Sequence, residues 1–303
     1  MEHARMTQSQ LKEKSRELNM SFSSLLAEYV LEELMYQISK SPYLYYLWLQ
    51  DDRIFQTGKT GKSILVMDFV YLVDPKISEK EKVCPGQQLS LKLLYMMLLS
   101  FIGQDRDNTV KWSGKADYNK ASATLEVIGE MDDMQVPIHI HMSQKTADSS
   151  WMPVKKVHRM LVDQNEQIVY FGYPVELLLS EQLFCVLKNM ELTADMDVYF
   201  CIYETLSSCI INGRHVREEL SVLCKNGNIP FRQERVEELL SYRDYTYMRK
   251  KWDKYLRRSG KTEPSWENVV DKFGQFLPVI WQAVCRDDLF FGDWMPDLGR
   301  FLD

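Results

Sequence analysis

Three stretches of the 303-residue chain carry residue types that could do chemistry. The run Gln56-Thr57-Gly58-Lys59-Thr60-Gly61-Lys62-Ser63 contains Gly-Lys-Thr and Gly-Lys-Ser, the end of a phosphate-cradling loop. Such a loop needs a further glycine five residues before the Gly of Gly-Lys, because its backbone N–H groups must close around phosphate. Arg53 and Gln56 stand there instead, and the run precedes a strand where a phosphate loop follows one, so it reads as a solvated turn. His139 and His141 are two residues apart, on one face of a strand, and a His-x-His pair can hold a metal. No third ligand is identifiable from spacing, so the pair reads as solvated and no metal is expected. The stretch Arg249–Arg258, with Lys261, has seven cations (Arg249, Lys250, Lys251, Lys254, Arg257, Arg258, Lys261) and one acid, Asp253. Trp252 and Tyr255 lie among them, and cations for phosphates beside rings for bases make a nucleic-acid footprint. The competing reading is a helix that buries Trp252 and Leu256 at i, i+4 and leaves a solvated basic face.

The elements that must carry these residues follow from periodicity. Thr7–Leu18 is polar and helix-prone. After Ser21, a cap, the residues Phe22, Leu25, Leu26, Tyr29, Val30, Leu34 and Ile38 recur at the spacing of a one-sided helix, which Ser41-Pro42 stops. Ile64–Val73 is apolar and β-branched, a buried strand holding one carboxylate, Asp68. Leu89–Ile102 is too short for a membrane span and contains Lys92, so it reads as a buried helix. Ala123–Ile128 and Gln135–Met142 alternate as strands, and Ile168–Tyr173 is a further one. Beyond Pro174 every segment suits helices: 175–190, 196–210, 213–224, 232–240, 245–258 and 266–285. The chain therefore reads as an α/β part, 1–172, and a helical part, 173–303.

The composition is ordinary for a globular chain, with 45% hydrophobic and 26% charged residues. Its 37 basic against 43 acidic residues give a net charge of −6, so nucleic-acid binding requires a local patch. The polar start lacks the apolar core of a secretory signal, and the six cysteines form no Cys-x-x-Cys pair. A cytoplasmic protein with reduced thiols and no membrane association is expected. The last stretch, 285–303, mixes Phe290, Phe291, Trp294 and Phe301 with five aspartates and suits docking on the chain's own core or on a protein partner.

Four segments together resemble the AbiEii/AbiGii family. The helix Ser21–Tyr43, ending Ile38-Ser39-Lys40-Ser41-Pro42-Tyr43, is similar to its "ERFLYRLSKSPY". Tyr173–Leu183 resembles "YPxExxxAEKL", Met196–Tyr199 resembles "KDFYD", and Lys251–Arg258 resembles "QWxxFLRR". Order and spacing agree over about residues 7–280. The resemblance implies an α+β fold: a nucleotidyltransferase-like small mixed β-sheet with flanking helices, plus a C-terminal helical domain. It also implies nucleotidyl transfer from a triphosphate, with tRNA among the acceptors, in toxin–antitoxin or phage-defence systems. Carboxylates holding two Mg²⁺ would clamp the attacking and leaving oxygens.

The departures from the family fall at that chemistry. Its Lys-Gly-Gly becomes Gln50-Asp51-Asp52, and two anions near a triphosphate would repel it. Its Asp-x-Asp becomes Asp68-Phe69-Val70, and Val70 cannot ligate. Its third carboxylate aligns with His141, and its Glu-Lys becomes Glu181-Gln182, losing a cation. Asp197 persists, while Phe200 stands at a second Asp. Asp68 reads as a remnant, a buried acid satisfied by a polar neighbour rather than a metal ligand. The expectation is a degenerate member, binding or regulatory in role, with no cofactor. The alternative is an active toxin using Mg²⁺ and NTP on tRNA, with a site rearranged around Asp68 and His141 or Glu181. An antitoxin is among the partners the resemblance implies, and a neighbouring antitoxin gene would favour the active-toxin alternative.

Overall fold

The computed structural model describes residues 6–52, 54–55, 65–73, 91–102, 110–118, 122–146, 152–161 and 166–302. The Gly-Lys run 56–63 lies outside them. The chain divides into two compact units, 1–174 and 175–303.

The first unit begins with helices α1 (Gln8–Glu17) and α2 (Phe22–Lys40). Thr7 and Gln10 cap α1 reciprocally, side chain to backbone in both directions, which satisfies two of the N–H groups that a helix start leaves open. Ser21 accepts from the Ser24 N–H at the start of α2. The strands are β1 (Leu47–Leu49) and β2 (Leu65–Val73), then β3 (Lys111–Tyr118), β4 (Ser122–Met131), β5 (Met134–Thr146), β6 (Val154–Arg159) and β7 (Gln167–Gly172). Helix α3 (Leu91–Ile102) lies between β2 and β3 in sequence. The seven strands form one mixed sheet, ordered β3-β4-β5-β2-β1-β7-β6. The pairs β2–β5 and β1–β7 are parallel and the rest are antiparallel.

One face of the sheet is buried under the helices. Met67, Phe69 and Tyr71 of β2 and Ile138, Ile140 and Met142 of β5 share the core with Leu25, Tyr29, Val30 and Leu34 of α2. The approach is close at Gly129 of β4, where a Cβ would collide with Val30 Cγ1. Alternation places Val66, Asp68, His139 and His141 on the opposite face.

The second unit holds α4 (Val175–Asn189), α5 (Asp197–Ser208), β8 (Ile211–Asn212), α6 (Gly213–Asn226) and α7 (Glu234–Ser241). It continues with α8 (Thr246–Ser259), α9 (Trp266–Arg286), β9 (Asp293–Met295) and β10 (Arg300–Leu302). Strands β8, β9 and β10 make a small antiparallel sheet that the helical reading of this part misses. Four tryptophans anchor the core. Their indole N–H groups donate to carbonyls at 2.8–2.9 Å: Trp252 to Pro264, Trp266 to Tyr242, Trp281 to Arg232 and Trp294 to Leu206. A buried ring with a satisfied N–H contributes apolar area without an orphaned donor. The tail, described over 285–302, thus docks on its own unit: Trp294 is fully buried, and Phe301 packs on Phe276 and Phe290.

Candidate functional site

The sheet brings three of the sequence-derived positions of the first unit together. Asp68 on β2 and His141 on β5 are register partners across a parallel pair. The Gln50 N–H donates to the Asp68 carbonyl at 2.8 Å, so the segment 50–52 leaves β1 beside Asp68. Asp68 is exposed, not the buried acid expected from its apolar strand. The reason is alternation: Met67 and Phe69 take the core side, and Asp68 takes the other. Val70 shares the Asp68 face but is fully buried. His141 is exposed, with Nδ1 3.2 Å from the Thr124 hydroxyl oxygen, and its ring centroid is 6.4 Å from that of His139. Opposite His139, Glu126 pairs with Lys115 at 2.7 Å, and that hydrogen bond holds its carboxyl below the usual range.

Among the described residues, no group of three or more His, Cys, Asp or Glu is arranged to hold a metal ion. Mg²⁺ takes hard oxygen ligands, and among the described residues the register partner of Asp68 is an imidazole. Here one carboxylate neighbours an imidazole and a buried valine.

Asp52 is a different acid from the one the sequence suggests. Its Oδ2 lies 2.7 Å from Lys156 Nζ and accepts from the Tyr170 hydroxyl at 3.3 Å. The Lys156 chain crosses Gly172, where a Cβ would meet Lys156 Cε at 2.9 Å. The anion is therefore matched by a cation on β6, which weakens the expected repulsion of a triphosphate. Burial and the neighbouring Asp52 push the Tyr170 hydroxyl up, keeping it a neutral donor. Asp51 is half-buried.

Next to this pair sits a buried cluster that sequence reasoning missed. Glu32 of α2 is fully buried. Its Oε1 lies 2.7 Å from His158 Nε2 and accepts the Leu161 N–H at 2.8 Å, while Oε2 has no hydrogen-bond partner. Phe55 stacks on the His158 ring, centroids 4.2 Å apart, tying the 54–55 segment to β6. Glu28, one turn earlier on α2, is also buried. Burial and the adjacent Glu32 push its carboxyl up to about 7, against the pull of His158. The available signal was the placement of Glu28 and Glu32 inside the apolar run of α2.

In the second unit, Asp197 starts α5, where the helix dipole favours an anion. Its carboxylate accepts from Tyr255 at 2.7 Å and from the Cys201 thiol at 3.4 Å. Glu181 and Gln182 are half-buried on α4, and Gln182 Oε1 is buried without a hydrogen-bond partner. Phe200 is a core ring against Trp252 and Tyr255, with Lys261 Nζ over it.

The basic run on α8 resolves into two kinds of cation. Lys251 turns inward, and its Nζ donates to the carbonyls of Thr193 at 2.7 Å and Glu191 at 3.2 Å; burial lowers its pKa. Arg249 pairs with Glu267 at 2.8 Å. Neither is a free phosphate ligand, because each already answers oxygens of its own unit. Lys250, Lys254, Arg257 and Arg258 are exposed. Trp252 and Tyr255 are not the stacking rings expected: Trp252 is fully buried and Tyr255 is bound to Asp197.

Five of the cysteines are free thiols, and among the described residues no helix is long and apolar enough to cross a membrane. No family model and no curated protein matches the sequence. Solved structures do resemble it. MenT4, a nucleotidyltransferase toxin from Mycobacterium tuberculosis H37Rv, matches with a TM-score of 0.55 at 13% identity, over 92% of this chain and 94% of that one. JHP933 from Helicobacter pylori matches with a TM-score of 0.45 at 12% identity, over 88% and 94%. The likeness to MenT4 shows the fold: this chain has the nucleotidyltransferase fold expected from the four segments.

Proposed function

We propose that this chain is a degenerate member of the nucleotidyltransferase toxin group, acting in the cytoplasm as a binding or regulatory protein in a toxin–antitoxin or phage-defence setting. The observation that carries the reading is the pair Asp68 and Val70. One exposed carboxylate and one buried valine replace the two acids that would grip metal. His141, bound to Thr124, stands where a third acid would complete the set. The exposed cations of α8 supply the RNA contact, with tRNA as the ligand class, and an antitoxin is the protein partner. The exposed side chains of Leu289 and Phe291 in the tail offer that partner apolar contact.

Labelled-nucleotide transfer tests the reading. Purified protein is given Mg²⁺ or Mn²⁺, each labelled NTP and total tRNA, with Asp68→Ala as control. No label, with no thermal shift by any NTP, is expected.

One observation favours a second reading, an active Mg²⁺-dependent enzyme that modifies tRNA. Lys156 balances the charge of Asp52, two residues beyond Gln50, whose N–H donates to the Asp68 carbonyl. Label on tRNA that vanishes in Asp68→Ala would establish it.

A further inference from the structure

Helix α8 sorts its side chains by angle, at about 100° per residue. Met248, Trp252 and Leu256 are buried in the core of the second unit. On the far side, Tyr247, Lys250, Lys254, Arg257 and Arg258 fall within about 100° of one another, and Asp253 falls outside that sector. The outward stripe is thus cationic without an interposed acid. It also has rings that sequence reasoning passed over. Tyr245 and Tyr247 are 44% and 50% exposed, with centroids 5.9 Å apart, and the Lys251 ammonium sits 5.3 Å from the Tyr247 centroid.

A polyanion with exposed ring systems complements this surface. Base faces are available only in unpaired nucleic acid, since a duplex buries them in its own stack. A lipid surface suits it poorly. A helix that lies in a bilayer interface needs a free apolar face, and here that face is spent on the core. We propose that the outward face of α8 is a platform for a single-stranded RNA segment, with an unpaired base on Tyr247 and phosphates on Lys250, Lys254, Arg257 and Arg258. This rests on the RNA reading above and narrows it from tRNA as a class to an unpaired segment of the strand.

Fluorescence anisotropy on the full chain tests it, with a short single-stranded oligoribonucleotide and its duplex as probes at several salt concentrations. The single strand is expected to bind more tightly. Tyr247→Ala should weaken single-strand binding about tenfold and leave duplex binding unchanged, and Tyr247→Trp should restore it. Lys250→Glu with Lys254→Glu should weaken both probes and lower the single-strand salt slope by about 1.4. These side chains are exposed, and a thermal melt of each variant confirms the fold. Equal affinity for both probes, with Tyr247→Ala silent, overturns this inference and leaves the RNA reading standing. No binding to either probe overturns both. Tighter binding to phosphatidylserine vesicles or to polyglutamate than to RNA also overturns it.

Discussion

Lys156 Nζ and Asp52 Oδ2 meet at 2.7 Å although 104 residues separate them. The contact fixes the segment that leaves β1 onto β6, at the far edge of the sheet. Both side chains are partly exposed, at 37% and 40%. Lys156→Met is therefore expected to cost only about 0.5–1 kcal/mol in urea unfolding. The double variant with Asp52→Asn should recover part of that loss. A fully additive cycle would mean that the pair contributes nothing.

Glu28 makes the first unit sensitive to pH. Its carboxyl titrates near 7 in the folded chain against an ordinary 4.5, so the folded state holds the proton more tightly than the unfolded state does. The stability this contributes is fully present below the ordinary value and is lost as pH rises from about 4.5 through 7. Once ionised, Glu28 is an anion in a buried place beside Glu32, which is what burial and that neighbour oppose. Melting temperature should therefore fall across that window in the wild type. Glu28→Gln should flatten the profile, and an unchanged slope in that variant would refute the assignment.

Among the described residues, the Tyr255 hydroxyl and the Cys201 thiol donate to the Asp197 carboxylate. Tyr255→Phe leaves the carboxylate with the weaker sulfur donor. A loss of about 1.5–3 kcal/mol follows from breaking a hydrogen bond to a charged group. Chemical denaturation measures it, and a loss below that range would mean that solvent already serves Asp197.

Val70→Asp tests whether the metal-binding pair can be rebuilt. The new carboxylate would stand on the Asp68 face but in a fully buried place. Without a cation it should cost about 3–5 kcal/mol. If Mn²⁺ raises the melting temperature of this variant and not of the wild type, the two positions still share ligand geometry. No metal-dependent shift would show that the site has closed around the valine.

The helices were legible because their apolar residues repeat at helical spacing. The stripe read from Phe22 to Ile38 matches α2, and the run beginning at Ile64 matches β2. The short strands were not: β1 has three residues, and β6 reads Val-Lys-Lys-Val-His-Arg, too polar to announce itself. Register was legible only through its consequence, which placed Asp68 and His141 side by side. Exposure was not legible, because a continuous apolar run hides which residues alternate outward. The contacts of Asp52 with Lys156 and of Glu32 with His158 join residues 104 and 126 apart, and no local pattern encodes such partners. At α8 the charge run was visible, but the inward turn of Lys251 depends on carbonyls of Glu191 and Thr193 some 60 residues earlier.

The position of β1 between β2 and β7 sets an order of events during synthesis. Its parallel neighbour begins only at Gln167, near the end of the first unit. Until the ribosome has delivered that strand, one edge of β1 stays open, and the closure entropy of the long intervening segment must be met before pairing rewards it. The nascent chain thus passes through a stage in which β2 to β5 can associate while β1 still exposes an unpaired edge. A holdase chaperone would find its binding window at that stage, and a ribosome stalled before Gln167 would present an unfinished sheet prone to aggregation.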